Sequence, residues 1–280
     1  MAPTSGTETN YTGFAARSEA YAMRVLTALP VFNEEKHVAR VLEEVRRHTK
    51  HILVVDDGST DGTSRILADT PRIRTITHRE NRGYGRSLID ALQYADRQGY
   101  DWVITLDCDD QHEPARIPDF IDRAGRGDVD IVSGSRYLVD LPENTPAPED
   151  RRLINARITH MINHMLDLSL TDAFCGFKAC RVEAMAGLPL SVPGYAFPLQ
   201  FWVQAVAGGL RICELPVPLI YNDPNRHFGG PLDDPQIRMQ HYLDVFRTEL
   251  ASVFTAWTCP MGGHTDGTSA ALPCGCLSAG

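Results

Sequence analysis

Trp102-Val103-Ile104-Thr105-Leu106-Asp107-Cys108-Asp109 is an apolar run that ends in two carboxylates two residues apart. The run predicts a buried strand, and the acids mark where the chain leaves the sheet. Paired carboxylates at a sheet edge make a hard-oxygen site suited to Mg²⁺ or Mn²⁺ shared with substrate phosphates. An ordinary solvated turn reads the same way from this stretch alone. A second acid-tipped strand upstream, Val54-Val55-Asp56-Asp57, shifts the balance. Two such strands in one α/β pattern point to a nucleotide-phosphate site at the carboxyl edge of a sheet.

Outward from this stretch the α/β alternation continues. Strands are predicted over 23–30, 51–55, 73–77, 102–106 and 129–133. Between them lie helices over 34–48, about 61–69, 84–97 and 117–125. The first carries Val38, Val41, Leu42 and Val45 on one face. Ser59-Thr60-Asp61 is placed to cap the second. This order demands a mainly parallel central sheet flanked by helices. The second half is less regular. Residues 138–149 are Pro-rich and acidic, a candidate mobile loop. Helices are predicted over 151–168 and 194–207, a strand over 211–216, and a polar loop over 222–231. Residues 236–254 form an amphipathic helix with Met239, Leu243, Phe246, Leu250 and Val253 on one face. Packing onto the domain is its simplest use, because its polar face mixes Asp244 and Glu249 with Arg238 and Arg247.

Composition narrows the class. The 280 residues are 43% hydrophobic, enough for a sizeable core, and carry a formal net charge of −9. That charge argues against a nucleic-acid binder, while local arginines still allow an anionic ligand. Seven scattered cysteines suit reduced thiols in a cytosolic protein. Cys259, His264, Cys274 and Cys276 match no common zinc spacing. Neither a signal-peptide pattern nor a long apolar span is present, so a cytoplasmic protein with at most peripheral contact at the inner face of a membrane is expected. Residues 1–22 are expected to be a disordered tail, 23–230 the catalytic domain, and 231–280 a C-terminal helix and flexible tail.

Several stretches converge in order. Leu29-Pro30-Val31-Phe32-Asn33-Glu34-Glu35 closes the first strand, and Asp56-Asp57-Gly58-Ser59-Thr60-Asp61-Gly62-Thr63 the second. Asn81-Arg82-Gly83-Tyr84-Gly85 follows the third. Asp107-Cys108-Asp109-Asp110-Gln111-His112-Glu113-Pro114 closes the fourth, and Gly134-Ser135-Arg136-Tyr137 the fifth. Then come Asp172-Ala173-Phe174-Cys175-Gly176-Phe177-Lys178 and Gly194-Tyr195-Ala196-Phe197. Over residues 25–228 this ordered set resembles the family 2 glycosyltransferases of GT-A fold, and within them the dolichyl- and polyprenyl-phosphate sugar synthases.

The resemblance implies a division of labour. Pro30, Phe32, Glu34 and Asp57 fall where the family holds base and ribose of a GDP- or UDP-sugar. A helix-terminal charge is the plainer reading of Glu34. Gly83 and Gly85 suit a close backbone approach to phosphate, or simply a turn. Asp107 and Asp109 match the metal-binding D-x-D, with Mg²⁺ or Mn²⁺ as cofactor. Gln111 matches a donor-placing Gln. Arg136, with Arg152 on the following helix, matches the pair that holds the acceptor phosphate, and an Arg fork suits that task. Arg152 and Arg157 also read as solvated helix charges. Asp172 matches a site-supporting position, and inversion at the anomeric carbon is implied.

Two departures stand out. The family's R-x-x-G-x-S-K loop is replaced by Asn222-Asp223-Pro224-Asn225-Arg226-His227-Phe228-Gly229-Gly230, which leaves Arg226 or His227 to face the donor phosphates. No membrane helices follow. The leading expectation is transfer to a polyprenyl phosphate. The alternatives are transfer to a soluble sugar or small-molecule hydroxyl, and a non-catalytic sugar-nucleotide-binding protein. A nucleotidyltransferase would want a basic Gly-rich loop where Pro30 to Glu35 supplies acids.

Overall fold

The computed structural model describes residues 23–109, 111–221 and 228–258, with side chains described through residue 253. The expected terminal tails, Asp110, Arg226, His227 and the Cys259–Cys276 cluster lie outside the described residues.

The chain alternates as expected through β1 (Val25–Val31), α1 (Val38–His48), β2 (Ile52–Asp56), α2 (Thr63–Asp69), β3 (Arg74–Thr77), α3 (Tyr84–Arg97) and β4 (Trp102–Thr105). It continues with α4 (Ile117–Gly125), β5 (Ile131–Ser135), α5 (Glu149–Leu166), β6 (Lys178–Arg181), α6 (Val182–Ala186), α7 (Phe197–Ala207), β7 (Ile212–Pro216) and α8 (Pro235–Thr258). One sheet holds seven strands in the order β3-β2-β1-β4-β6-β5-β7. All pairings are parallel except those of β6, which runs against both β4 and β5. That strand is absent from the sequence reading. Four residues flanked by Gly176-Phe177 and a helix give too short a pattern to resolve.

Alternation along the central strands explains the layers. Val25, Leu29, Val31, Ile52, Val54, Trp102 and Ile104 pack with Val38, Val41, Leu42 and Val45 of α1 and with Phe120 of α4. The intervening Leu26, Ala28, Leu53, Val55 and Val103 pack with Ala91 and Ala95 of α3. A sheet covered on both faces needs such continuous apolar strands. Each fully buried Val or Leu contributes about 1.5–3 kcal/mol. A third cluster joins α5, α7 and α8, with Trp202 wholly buried and Tyr242 and Phe246 of α8 seated in it. The amphipathic C-terminal helix therefore packs onto the domain.

Two local expectations change. The α2 cap position is Gly62, while Asp61 Oδ1 accepts the Thr63 amide from one residue earlier (2.9 Å). The Pro-rich 138–148 segment is fastened rather than loose. Thr145 N–H donates to the Leu219 carbonyl (2.7 Å), and Leu219 and Tyr221 amides donate to Asn144 and Thr145 side chains (2.8 and 2.6 Å). Among the described residues no helix is long and apolar enough to cross a membrane.

Strand order reverses between β1 and β4, the switch point where the crevice of an open α/β sheet forms. The antiparallel β6 begins there too, since Lys178 pairs with Thr105 and Ser133. The preceding 172–177 stretch is thereby carried across the carboxyl edge.

Candidate active site

A cleft of about 710 Å³ opens over this edge. Its first wall comes from strand ends. The loop after β1 is clipped to the loop after β2: Glu34 N–H donates to Thr63 Oγ1 (2.8 Å), Thr60 N–H to Asn33 Oδ1 (2.8 Å), and Gly62 N–H to Glu35 Oε2 (2.8 Å). Asn33 adopts a positive φ of 58° to make this turn, a conformation Asn tolerates better than most residues. Pro30, Phe32, Glu34 and Asp57 all line the cleft, with Phe32 exposed and Glu34 buried.

The two acids after β2 divide. Asp56 is wholly buried and accepts Ser59 N–H (3.0 Å) and Ser64 O–H (2.5 Å). Asp57 reaches the cleft, but its carboxylate also organises the Gly-rich turn. Oδ1 meets His78 Nδ1 (2.6 Å) and the Arg82 amide (2.8 Å), and Oδ2 accepts the Gly83 amide (2.8 Å). His78 Nε2 in turn meets Asp90 (2.8 Å). The glycines of that turn have a packing reason. A Cβ on Gly83, where φ is 101°, would stand 2.4 Å from the Pro193 carbonyl oxygen, and one on Gly85 2.3 Å from that of Val192. The close backbone approach at these positions is to the protein's own 192–194 segment.

Asp107 and Asp109 stand beyond β4. Asp107 Oδ1 accepts the Tyr84 hydroxyl (2.9 Å), and Oδ2 faces His112 Nε2 (3.2 Å). Burial and the adjacent Asp107 charge raise the Tyr84 phenol well above its ordinary value, so it stays a donor. Asp109 is 8% exposed, and its Oδ1 accepts the Gln111 amide (3.0 Å). Gln111 Nε2 is buried without a hydrogen-bond partner at the cleft. No group of three or more His, Cys, Asp or Glu side chains among the described residues is arranged to hold a metal. Two carboxylates with a buried amide donor beside them still fit a hard divalent cation whose remaining ligands are substrate phosphates and water.

The opposite wall comes from residues within 136–155, from Leu219, Tyr221, Phe228 and Gly229, and from α8. Arg136 grips Asp172 through Nε (2.6 Å) and Nη2 (3.0 Å). Burial alone would raise the Asp172 carboxyl, but the Arg136 charge and hydrogen bonds, with Asn155, pull it down to about 2. Glu214 of β7 accepts the Thr171 and Asp172 amides (2.9 and 3.1 Å), which fixes the segment from below. Arg151 lines the cleft with its guanidinium over Phe228 (4.7 Å) and Tyr221 (5.4 Å). Arg152, the residue singled out from sequence, is exposed and does not line the cleft, though its charge acts on Tyr137 at the rim. A helix turns about 100° per residue, so adjacent arginines cannot share a face.

Among the lining residues that sequence reasoning missed are Tyr84, Ser87, Tyr195 and Arg238. Tyr84 and Tyr195 stood inside quoted motifs, and Ser87 carries no signal of its own. Arg238 is a correction. It is 3% exposed, donates to Asp150 (2.7 Å) and the Leu232 carbonyl (2.8 Å), and lies over Phe228 (4.5 Å). Glu249 likewise faces inward, accepting the Gln200 and Gln204 amides (2.8 and 3.1 Å). Helical periodicity separates polar from apolar faces, but it does not say whether a polar face meets water or a cleft. Cys108, Cys175, Cys180 and Cys213 are free thiols.

The Glycosyl transferase family 2 pattern matches residues 27–188. Polyprenol monophosphomannose synthase of Mycolicibacterium smegmatis is 28% identical over 206 residues, covering 69% of this chain and 76% of that protein. Undecaprenyl-phosphate mannosyltransferase of Micrococcus luteus is 28% identical over 207 residues, covering 71% and 84%. In fold, the chain is similar to glucosyl-3-phosphoglycerate synthase of Mycobacterium tuberculosis crystallised with Mn²⁺, uridine diphosphate and glucosyl-3-phosphoglycerate. The TM-score is 0.64 at 16% identity, over 82% of this chain and 81% of that one. With the sheet order and the strand-end acids described above, these likenesses identify the chain as a GT-A-fold glycosyltransferase that belongs to glycosyl transferase family 2.

Proposed function

We propose that this chain moves a sugar from a GDP- or UDP-sugar to a polyprenyl (dolichyl-type) phosphate, with inversion and with Mg²⁺ or Mn²⁺. The observation that carries the acceptor is the charge partition of the cleft. Its strand-end wall holds the acids Glu34, Glu35, Asp57, Asp61, Asp107 and Asp109, with Lys36 and His37 beside Glu35. Its other wall holds Arg136, Arg151 and Arg238, and no acid among the described lining residues. An acceptor hydroxyl needs a base, whereas a phosphate is already ionised and needs cations. Asp172 is a poor base, being buried, ion-paired and held at about 2. The names of the polyprenol- and undecaprenyl-phosphate relatives support the same acceptor.

Base and ribose take the pocket of Pro30, Phe32, Glu34 and Asp57, beside Gly83. Asp107 and Asp109 would hold the divalent cation, which neutralises the leaving diphosphate when bound. Gln111 donates its buried amide to a phosphate oxygen. Arg226 remains the candidate for covering the donor. Arg136 and an α5 arginine hold the acceptor, and Arg151 is better placed than Arg152. The catalytic unit extends past residue 230 into α8, and it works at the cytoplasmic surface of a membrane without crossing it.

Transfer to a short-chain polyprenyl phosphate tests this reading. Arg151→Ala should weaken acceptor binding by about 1.5–3 kcal/mol, with donor hydrolysis unchanged. Arg152→Ala should stay within about 0.5 kcal/mol of wild type, as surface changes usually do. Wild-type protein that glycosylates only a sugar hydroxyl would overturn the acceptor assignment.

A further inference from the structure

One stretch of the cleft is neither acidic nor basic. Ser87, one turn into α3, is 1% exposed, and its hydroxyl has no hydrogen-bond partner although the residue lines the cleft. Buried hydroxyls are almost always paired, so this one awaits a partner from a ligand. Beside it the Tyr84 ring stacks on Tyr195 at 5.9 Å and 17°. Tyr195 is 39% exposed and lines the cleft, and Phe228 meets it edge-on at 5.2 Å. Next to Tyr195, the space where Gly194 would carry a Cβ is open to 4 Å.

Position and charge decide what fits there. The Tyr84 hydroxyl reaches Asp107, so this wall adjoins the carboxylates assigned to the diphosphate. None of the lining residues contributed by α3 and by 194–198 is charged. The turn's Gly83 and Arg86 amides are already used by Asp57 and the Pro193 carbonyl. A phosphate would find no counter-charge here. A sugar ring finds aromatic surface for its C–H face and a hydroxyl partner for its O–H groups. From this juxtaposition we infer that Ser87 and the Tyr84–Tyr195 pair form the socket for the sugar ring of the donor. The inference rests on the sugar-nucleotide reading above and adds the residues that separate a nucleotide sugar from its bare diphosphate.

Calorimetry with UDP, UDP-glucose, GDP and GDP-mannose, each with Mn²⁺, tests the socket. For the sugar nucleotide that wild type binds best, Ser87→Ala should weaken affinity about three- to tenfold, the worth of one hydrogen bond. The matching diphosphate should stay within about twofold. Tyr195→Leu should show the same split, and because Tyr195 is partly exposed it keeps the test open if Ser87→Ala fails to fold. Equal losses on sugar nucleotide and diphosphate, or no loss on either, would overturn the socket alone. Wild-type protein that binds none of the four probes would overturn the socket and the glycosyltransferase site together.

Discussion

On one wall of the cleft, Glu34, Asp57, Asp107 and Asp109 stand at or just beyond the ends of adjacent parallel strands. On the other, Arg136, Arg151 and Arg238 come from a strand end and two helices far apart in the chain. The acids are held in different ways: Asp109 by a backbone amide two residues on, Asp57 by the Gly-rich turn and His78, and Asp107 by the Tyr84 hydroxyl and His112. The arginines are held by distant side chains: Asp172 for Arg136, Asp150 for Arg238, and Phe228 between Arg151 and Arg238. Asp109, whose contact is local, should tolerate loss of its charge better than Arg136, whose partner is a buried carboxylate 36 residues away. Charge at Asp109 can serve chemistry alone, while charge at Arg136, like that at Asp57, also serves the fold.

The largest expected effect tests that contrast directly. Arg136→Ala strands the fully buried Asp172 carboxylate and should cost about 3–5 kcal/mol in urea unfolding. A variant as stable as wild type would erase the distinction between Asp109 and Arg136. Asp109→Asn should do the opposite. Its unfolding midpoint should hardly move, while kcat falls about 10²–10³-fold, the usual result of removing one electrostatic contact to the leaving charge. Steady-state transfer with and without added Mn²⁺ reads this, and a variant that keeps both its rate and its metal dependence would remove Asp109 from the site.

Acid sharpens the same comparison with a smaller effect. The Asp172 carboxyl sits at about 2 in the native state against an ordinary 3.8. Its folded value is depressed, so its contribution is complete above about pH 4 and is lost as pH falls through about 2. The size is on the order of 2 kcal/mol. Urea midpoints between pH 5 and pH 2 should fall more in wild type than in Asp172→Asn. Parallel curves would mean that the ion pair is not what acid breaks.

Much of the acidic wall is legible in the sequence because the acids themselves sit at strand ends. An apolar run followed by acids announces a strand end, and strand ends in a parallel sheet gather at one edge. Thus the strand ends alone bring Asp57, Asp107 and Asp109 to one edge. The basic wall is legible only in part. Arg136 follows a strand, which places it at the cleft. On α5 the sequence singles out Arg152 over Arg157, whereas Arg151 lines the cleft, because a sequence does not state the phase of a helix against a cleft until its buried face is known. Ile154, Asn155 and Ile158 define that face.

By itself, then, the sequence determined the α/β class, the parallel sheet, the acid-tipped edge and the family. These rest on short-range periodicity and on residues within one strand or loop. Tertiary structure alone decided four other matters. It inserted β6 against the grain, turned Arg238 of α8 into the cleft, and committed Asp57 to the Gly-rich turn. It also left the Ser87 hydroxyl unpaired beside the Tyr84–Tyr195 stack. Each depends on which distant segment fills the space next to a side chain, and that is a property of packing, which local pattern does not encode.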